Sequence, residues 1–284
     1  MTTAYLNGEM CPLEEARVSP MDRGFLFGDG IYEVIPSYGG KMVGLARHLK
    51  RLDDGLRAIQ LANPHSDAGW ETLFQDLIEA NGAGNLGVYL QVTRGVSLRR
   101  NHRFPNNTPP TVFAYAFDID PPNTGNPAEA KGYRVTTVID RRWRRCDIKA
   151  VALLGNVLHM MEGVNAGGDE VLLFNENDEL TEAAACNVFV VQSGKVATPA
   201  LDPQKLPGVT RNMLVEILRD EGWNVQEEPV TRRAVLAAEE VWLTSSTKEI
   251  APVVNIDGEP VGNGTPGAYW SAAQALFAKH RFTA

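Results

Sequence analysis

RRWRRCDIKAVALLGNV, residues 141–157, sets Arg141, Arg142, Arg144, Arg145 and Lys149 where a strand-like run, YRVTTVID, gives way to a long apolar segment. That segment, AVALLGNVLHMMEGVNAGG, has helical periodicity and ends at a Gly-Gly stop. Lys149 therefore falls at a strand-to-helix junction. The chain of 284 residues carries a formal charge of -8, so the positive cluster is local and a general polyanion-binding surface is not expected. Cationic neighbours disfavour an ammonium, which would make Lys149 a competent amine nucleophile; a solvated residue at a helix start is the plain alternative.

Upstream, AYLNGEM holds an Asn-Gly turn between short strands, and GIYEVIPSYGGKMVGL reads as strand, Gly-Gly turn, strand. Leu49, Leu52, Leu56 and Ile59 recur at helical spacing, as do Trp70, Leu73, Phe74, Leu77 and Ile78, predicting two helices that cover one face of an antiparallel sheet. GVYLQVTRG and TVFAYAFDI are further strands, and the dense breakers of DPPNTGNP mark a linker at 120–127. Domains are expected over 1–119 and 128–284, the second carrying Lys149. Downstream, EVLLFN, NVFVV, KVATP, VWLTSST and APVVNIDGEPV read as strands, and TRNMLVEILRDEG and GAYWSAAQALFAKH as helices. The fold class is α+β (mixed α/β), and 44% hydrophobic content supports two cores.

No Walker loop, GxGxxG, HExxH or GxSxG motif is present, which removes the usual support for nucleotide hydrolysis, dinucleotide redox chemistry and zinc proteolysis. Cys11, Cys146 and Cys186 are few, odd in number and widely spaced, so neither a disulfide framework nor a thiolate metal site is expected; Cys146 reads as a packed residue. His159 and Glu162, three apart on a helix, read as ordinary polar residues in the absence of a second such pair. No leader-like or membrane-length apolar run is seen, and a soluble cytoplasmic protein is the expectation.

Two other features bear on Lys149. The helix following LPGVT offers free backbone N–H groups and the Thr210 hydroxyl to an anion, with a plain N-cap as the simpler reading. Glu182, in LTEAAACNVF, stands among small residues just before a strand, as a turn carboxylate or as an acid facing something flat. An amine, an anion cradle and a lone acid together fit pyridoxal 5'-phosphate.

RGFLFGDGIYEV, RHLKRL, QVTRG, RRWRRCDIK, LTEAAACNVF, LPGVTR and LTSSTKEIAPV resemble, in order and spacing, the class IV pyridoxal-phosphate aminotransferases over nearly the whole chain. RWRRCDIK, QVTRG and HRFPNNT are most similar to its D-amino acid aminotransferase branch. The resemblance implies a fold-type IV homodimer with the cofactor between the two domains. It also implies amino acid and 2-oxo acid substrates, with no nucleic acid, membrane or metal involved. Lys149 matches the Schiff-base lysine that also shuttles the proton, Glu182 the acid at the pyridine nitrogen, and Arg51 the phosphate-binding arginine. The N–H groups of Val209 and Thr210 and the Ser246 hydroxyl would complete the phosphate cradle, and Tyr32 would face the substrate. The cations of 141–149 would then form a local field around cofactor and amine, with Arg142 as a structural partner.

In the family, an Arg-x-His loop lent by the partner subunit grips the substrate carboxylate. Here the loop reads Arg99-Arg100-Asn101-His102, one residue longer between Arg99 and His102, so either arginine could serve; Arg99 with His102 is the expectation. The family's hydroxyl residues after the acid are replaced by Ala183, Ala184 and Ala185. Branched-chain aminotransferase and aminodeoxychorismate lyase are the alternatives on the same scaffold. An (R)-amine transaminase would not need the cationic loop, and a non-catalytic binder would not need Lys149.

Overall fold

The computed structural model describes residues 2–284. The chain divides into two compact units, one running to Pro121 and taking in Ile148–Leu153, the other made of Pro122–Asp147 and Leu154–Ala284. The division after Pro121 falls inside the stretch of breakers at 120–127. Lys149, expected in the C-terminal domain, is grouped instead with the first unit. The cause is backbone pairing: Tyr32 N–H donates to Lys149 O at 3.0 Å, Val151 N–H to Gly30 O at 3.1 Å, and Ile31 bridges Ala150.

In the first unit, β1 (Thr3–Leu6) and β2 (Glu9–Pro12) form the hairpin set by Asn7 and Gly8. A short helix α1 (Arg23–Phe27) leads into the long β3 (Gly30–Tyr38), which turns at Gly39-Gly40 into β4 (Lys41–Met42). Helices α2 (Leu45–Ala58) and α3 (Asp67–Ala80) follow, then β5 (Asn85–Thr93) and β6 (Thr111–Asp118). The strands make one antiparallel sheet in the order β2-β1-β6-β5-β3-β4. Leu49, Leu52 and Leu56 of α2 and Trp70, Leu73, Phe74, Leu77 and Ile78 of α3 are buried against Ile31, Ile35, Val88, Leu90 and Val92. Burying each such side chain contributes about 1.5–3 kcal/mol, and this face holds the unit together. Successive side chains of β3 alternate, so Glu33 shares the helix-facing side with Ile31 and Ile35. Tyr32 stacks with Tyr89 at a ring separation of 5.8 Å, and Tyr89 meets Tyr115 tilted at 5.4 Å.

In the second unit, β7 (Tyr133–Ile139) precedes α4 (Leu154–Asn165), β8 (Glu170–Phe174), β9 (Leu180–Ala183), β10 (Asn187–Gln192) and β11 (Lys195–Thr198). Next come α5 (Val209–Asp220), β12 (Asn224–Glu227), α6 (Arg232–Leu236), β13 (Glu240–Ser245), β14 (Glu249–Ile256), β15 (Glu259–Pro260) and α7 (Ala268–His280). The sheet is mixed, in the order β12-β11-β10-β13-β14-β7-β8-β9 with β15 on β14; β7 lies parallel to both β8 and β14. The helix expected to begin near Ala150 begins at Leu154, since 148–153 runs extended along β3. Glu182, expected in a turn, is part of β9. Two short helices, α1 and α6, and the edge strand β12 were not anticipated. No helix among the described residues is long and apolar enough to cross a membrane.

Helix α4 has an inverted pattern. Its buried residues are His159 and Gly163, while Leu154 is 70% exposed and Val157, Leu158, Met161 and Val164 are also exposed. At 3.6 residues per turn those five apolar side chains share one stripe.

Candidate active site

Three of the expected site residues, Lys149, Tyr32 and Arg51, gather around β3 in the first unit. Lys149 extends alongside β3, and its Nζ lies 4.0 Å from the centre of the Tyr32 ring, a cation–π contact. One residue on, Glu33 accepts from Arg51 Nε at 2.7 Å and Nη2 at 2.8 Å, a two-point grip that fixes the guanidinium plane. His48 Nδ1 lies 2.7 Å from the other side of the same carboxylate. Burial alone would raise the Glu33 carboxyl, but Arg51 and His48 together outweigh it and hold that group well below the usual carboxylate range. Burial depresses His48 against the pull of Glu33, with the Arg51 and Lys149 charges adding to the depression. Arg51 is therefore a pre-oriented cation.

The second unit assembles the other set. Glu182 is buried, with Oε1 taking a hydrogen bond from Arg142 Nη1 and Oε2 accepting Leu206 N–H at 3.0 Å and Asn187 Nδ2 at 3.3 Å. Burial pushes its carboxyl above the ordinary value against the pull of Arg142. Arg142 is itself held by Asp140, through Nε to Oδ1 at 3.0 Å and Nη2 to Oδ2 at 2.7 Å, and Thr181 Oγ1 donates to Asp140 at 2.7 Å. Asn187 also donates to Leu206 O at 2.9 Å. Gly208, the residue before α5, packs so closely on Asn187 that an added Cβ would strike the side-chain amide oxygen. The first intrahelical bond of α5 runs from Asn212 N–H to Gly208 O at 2.9 Å, leaving the amides of Val209 and Thr210 ahead of it. Gly208, not Thr210, holds the N-cap position. Ser246 lies in the turn between β13 and β14; Thr244, two residues before it, pairs with Asn187 across the sheet.

The loop 95–104 belongs to the first unit. Arg100 Cζ lies 5.0 Å from the centre of the Phe27 ring and the His102 ring 5.3 Å from it, so Arg100 and His102 meet over one aromatic. For Arg99, expected to be the partner of His102, the contact is a backbone one: Ser97 Oγ donates to its carbonyl at 3.0 Å.

The cations that opened the sequence are paired one by one. Arg141 meets Glu162, Arg144 meets Glu176 at 3.4 Å, Arg145 meets Asp147 at 3.0 Å, and Arg142 is enclosed by Asp140 and Glu182. The expected positive field around Lys149 is thus offset by carboxylates. His159 accepts Arg141 N–H on Nε2 at 3.0 Å, tying α4 to the bend that carries Arg142. Cys146 is buried and donates to Trp143 O at 3.1 Å, and burial pushes its thiol up to about 11, as suits a packed residue. Among the described residues no group of three or more His, Cys, Asp or Glu could hold a metal ion.

Known proteins resemble this chain over almost its whole length. The family model of amino-transferase class IV matches residues 30–256. A D-alanine aminotransferase of Staphylococcus haemolyticus is 37% identical over 99% of this chain and 98% of its own, and one of Bacillus licheniformis 35% identical over 92% and 90%. Among solved structures, the T.th. branched-chain amino acid aminotransferase complexed with N-(5'-phosphopyridoxyl)-L-glutamate has a TM-score of 0.87 at 26% identity, covering 99% of this chain and 94% of that one. The branched-chain amino acid aminotransferase from Escherichia coli gives 0.88 at 23%, with coverage of 99% and 94%. The chain belongs to the class IV amino-transferase family.

Sequence reading missed Glu33, His48, Asp140 and Asn187. Glu33 alone left a signal, as the one acid on the helix-facing side of an otherwise apolar strand. The chemistry of the donor set fits pyridoxal 5'-phosphate: an amine, a pre-oriented guanidinium and free helix-start amides for an anion, and a buried acid. On β13, across from Asn187, the Thr244 hydroxyl is buried without a partner.

Replacing Arg142 by Ala would leave Asp140 and Glu182 as buried carboxylates without their cation. The expected loss is about 3–5 kcal/mol of stability at neutral pH, measured as a shift in denaturant midpoint. Arg142 holds Asp140 below its ordinary value, so the Asp140 part of this stabilisation is present above about pH 4 and is lost as pH falls through the depressed value. The gap between wild type and variant should accordingly narrow in acid.

Proposed function

We propose that this chain is a pyridoxal 5'-phosphate-dependent transaminase that moves an amino group between a D-amino acid, of the D-alanine or D-glutamate type, and a 2-oxo acid. The observation that carries the reading is Lys149 Nζ set against Tyr32 in the strand that also holds Arg51 through Glu33. The D-alanine aminotransferases above, 35–37% identical over 92–99% of the chain, support the D-amino acid substrate. The branched-chain alternative draws on structures 23–26% identical, which share the fold.

Pyridoxal 5'-phosphate supplies, when bound, an aldehyde carbon that amines occupy in turn and a pyridine ring that draws off the electron pair of a broken Cα–H bond. Lys149 Nζ would hold that carbon in the resting enzyme and, as a free amine, would remove and return the substrate's Cα proton. Glu182 would keep the ring nitrogen protonated, with Arg142, Asn187 and Leu206 keeping Glu182 in place. Arg51, the amides of Val209 and Thr210 and the hydroxyl of Ser246 would hold the phosphate. Tyr32, beside Lys149, borders the substrate. Arg100, in the role first expected of Arg99, joins His102 in gripping the substrate carboxylate, since those two side chains converge on Phe27.

The homodimer is part of the same proposal. A helix that turns His159 and Gly163 inward and five apolar side chains outward presents an apolar stripe of the kind that marks an interface, and a second copy presents the same stripe. All three cysteines are free, which fits the reducing cytoplasm.

Lys149→Ala should abolish multiple-turnover transamination and the borohydride-sensitive yellow colour of the purified protein; near-normal turnover would remove Lys149 from the role. In a panel of amino donors in both enantiomers with 2-oxoglutarate and pyruvate, D-alanine should be used and L-alanine poorly. Equal or better rates with L-leucine or L-valine would move the enzyme to the branched-chain group. Leu158→Glu, which puts a charge in the α4 stripe, should convert a dimer to monomer in sedimentation velocity, and an unchanged sedimentation coefficient would place the interface elsewhere.

A further inference from the structure

The carboxylate loop is exposed, yet its two reactive side chains share one support. Three attachments fix its course. At its start, Arg23 N–H donates to Gly95 O at 2.9 Å and Ser97 N–H to Met21 O at 3.2 Å. Gly95 has φ +86°, and an added Cβ would collide with the Pro109 carbonyl, so the bend needs glycine. In its middle, the Arg23 guanidinium donates through Nη1 to Asn101 O at 2.6 Å and to Arg103 O at 3.4 Å. At its end, Arg94 Cζ lies 3.6 Å from the centre of the Phe104 ring.

Both arginines are buried and share Asp29: Arg23 Nε donates at 2.8 Å, and Arg94 Nε and Nη2 at 2.8 and 3.0 Å. Arg94 is anchored besides by the carbonyls of Ile59 at 2.6 Å and Gln60 at 3.2 Å. Phe27, the last residue of α1, has Arg23 Cζ at 4.8 Å and Arg100 Cζ at 5.0 Å from its ring centre, with His102 alongside. The backbone between Arg100 and His102 is therefore held at Asn101, and both side chains rest on a ring that Arg23 also touches.

We propose that Arg23 and Phe27 are positioning residues that fix the spacing of Arg100 and His102 and so set how strongly the enzyme selects substrates bearing an α-carboxylate. This rests on the reading of Arg100 and His102 as the carboxylate grip. An arginine free in water loses much rotamer freedom when it closes on a ligand; an arginine already laid on an aromatic ring loses less. A carboxylate is planar and takes two donors from fixed directions, so two donors held at a set separation bind it better than two mobile ones.

The test uses the holoenzyme with Phe27→Leu, Phe27→Tyr, Arg23→Lys and Arg100→Ala, and the double variant Phe27→Leu/Arg100→Ala. Readouts are KM and kcat for D-alanine, the inhibition constant of propanoate as a bare carboxylate, and the melting temperature. Phe27→Leu should raise KM and the propanoate constant together by about tenfold, with kcat within about twofold and melting little changed. Phe27→Tyr, which keeps the ring, should stay near wild type. The Phe27→Leu effect should vanish in the Arg100→Ala background, because the two act through one grip. Arg23→Lys should act in the same direction; since Arg23 is buried beside Asp29, Phe27→Leu carries the test if that variant folds poorly. Arg100→Ala raising both constants while Phe27→Leu changes neither would overturn the positioning role and leave the grip standing. So would additive effects in the double variant. Arg100→Ala without effect on either constant would remove the grip itself.

Discussion

A charge withdrawn from water has to meet an opposite charge, and that requirement organises the functional half of each unit. Arg142 is surrounded by Asp140 and Glu182, Arg51 by Glu33 with His48 behind it, and Arg23 and Arg94 share Asp29. Each network ties elements far apart in sequence: Glu33 to α2, Asp29 to β5 and the loop after it, and the bend after β7 to β9. Ion pairs of this kind are poor sources of net stability, because desolvation consumes most of the Coulomb gain. Their effect is on geometry. Removing one partner strands the other, so each arginine and its acid are held in one orientation.

The apolar half of the fold was legible because it is periodic. Leu49, Leu52 and Leu56, and Trp70, Leu73, Phe74, Leu77 and Ile78, repeat at helical spacing in the sequence and are buried in the structure. The segment 148–153 was not legible. Its apolar residues continue smoothly into α4, and what turns them into an extended strip is hydrogen bonding to Gly30 and Tyr32, over a hundred positions earlier. Local composition carries no trace of such a partner. The acids show the same limit. Glu182 stood out among alanines, whereas Asp140 looked like the end of a strand, and only the fold reveals that it holds the arginine that holds Glu182. Of the candidate site, Lys149, Glu182 and Arg51 carry motifs in the sequence, whereas Glu33, Asp140 and Asn187, which orient Arg51, Arg142 and Glu182, do not.

The loop shows how a single insertion becomes readable once the backbone is known. In sequence, Arg99 and Arg100 are interchangeable, since the loop has one residue to spare. In space they are not equivalent, because the Arg23 guanidinium pins the carbonyl of Asn101 and makes its two neighbours, Arg100 and His102, the pair that lies over Phe27. A backbone acceptor held by a buried cation fixes register more firmly than any contact between exposed side chains, which must give up rotamer freedom to form.

The alanines at 183–185 extend the same reasoning to the second unit. Hydroxyl side chains at a bend commonly satisfy backbone groups, and their loss would loosen it unless other donors and acceptors take over. Here they do: buried Glu170 accepts Ala184 N–H at 3.1 Å, Asn156 Nδ2 donates to Ala184 O at 2.7 Å, and Ala183 N–H donates to Cys186 O at 2.8 Å. The bend beside Glu182 thus keeps its shape through neighbours rather than through its own side chains. What the alanines remove is polar surface, not support. Among the described residues of that unit, Thr244 Oγ1 is the buried hydroxyl left without a partner, on the strand that pairs with Asn187. Hydroxyls stand instead at the end of β13: Thr244, which pairs across from Asn187, and, past the strand's end, Ser246.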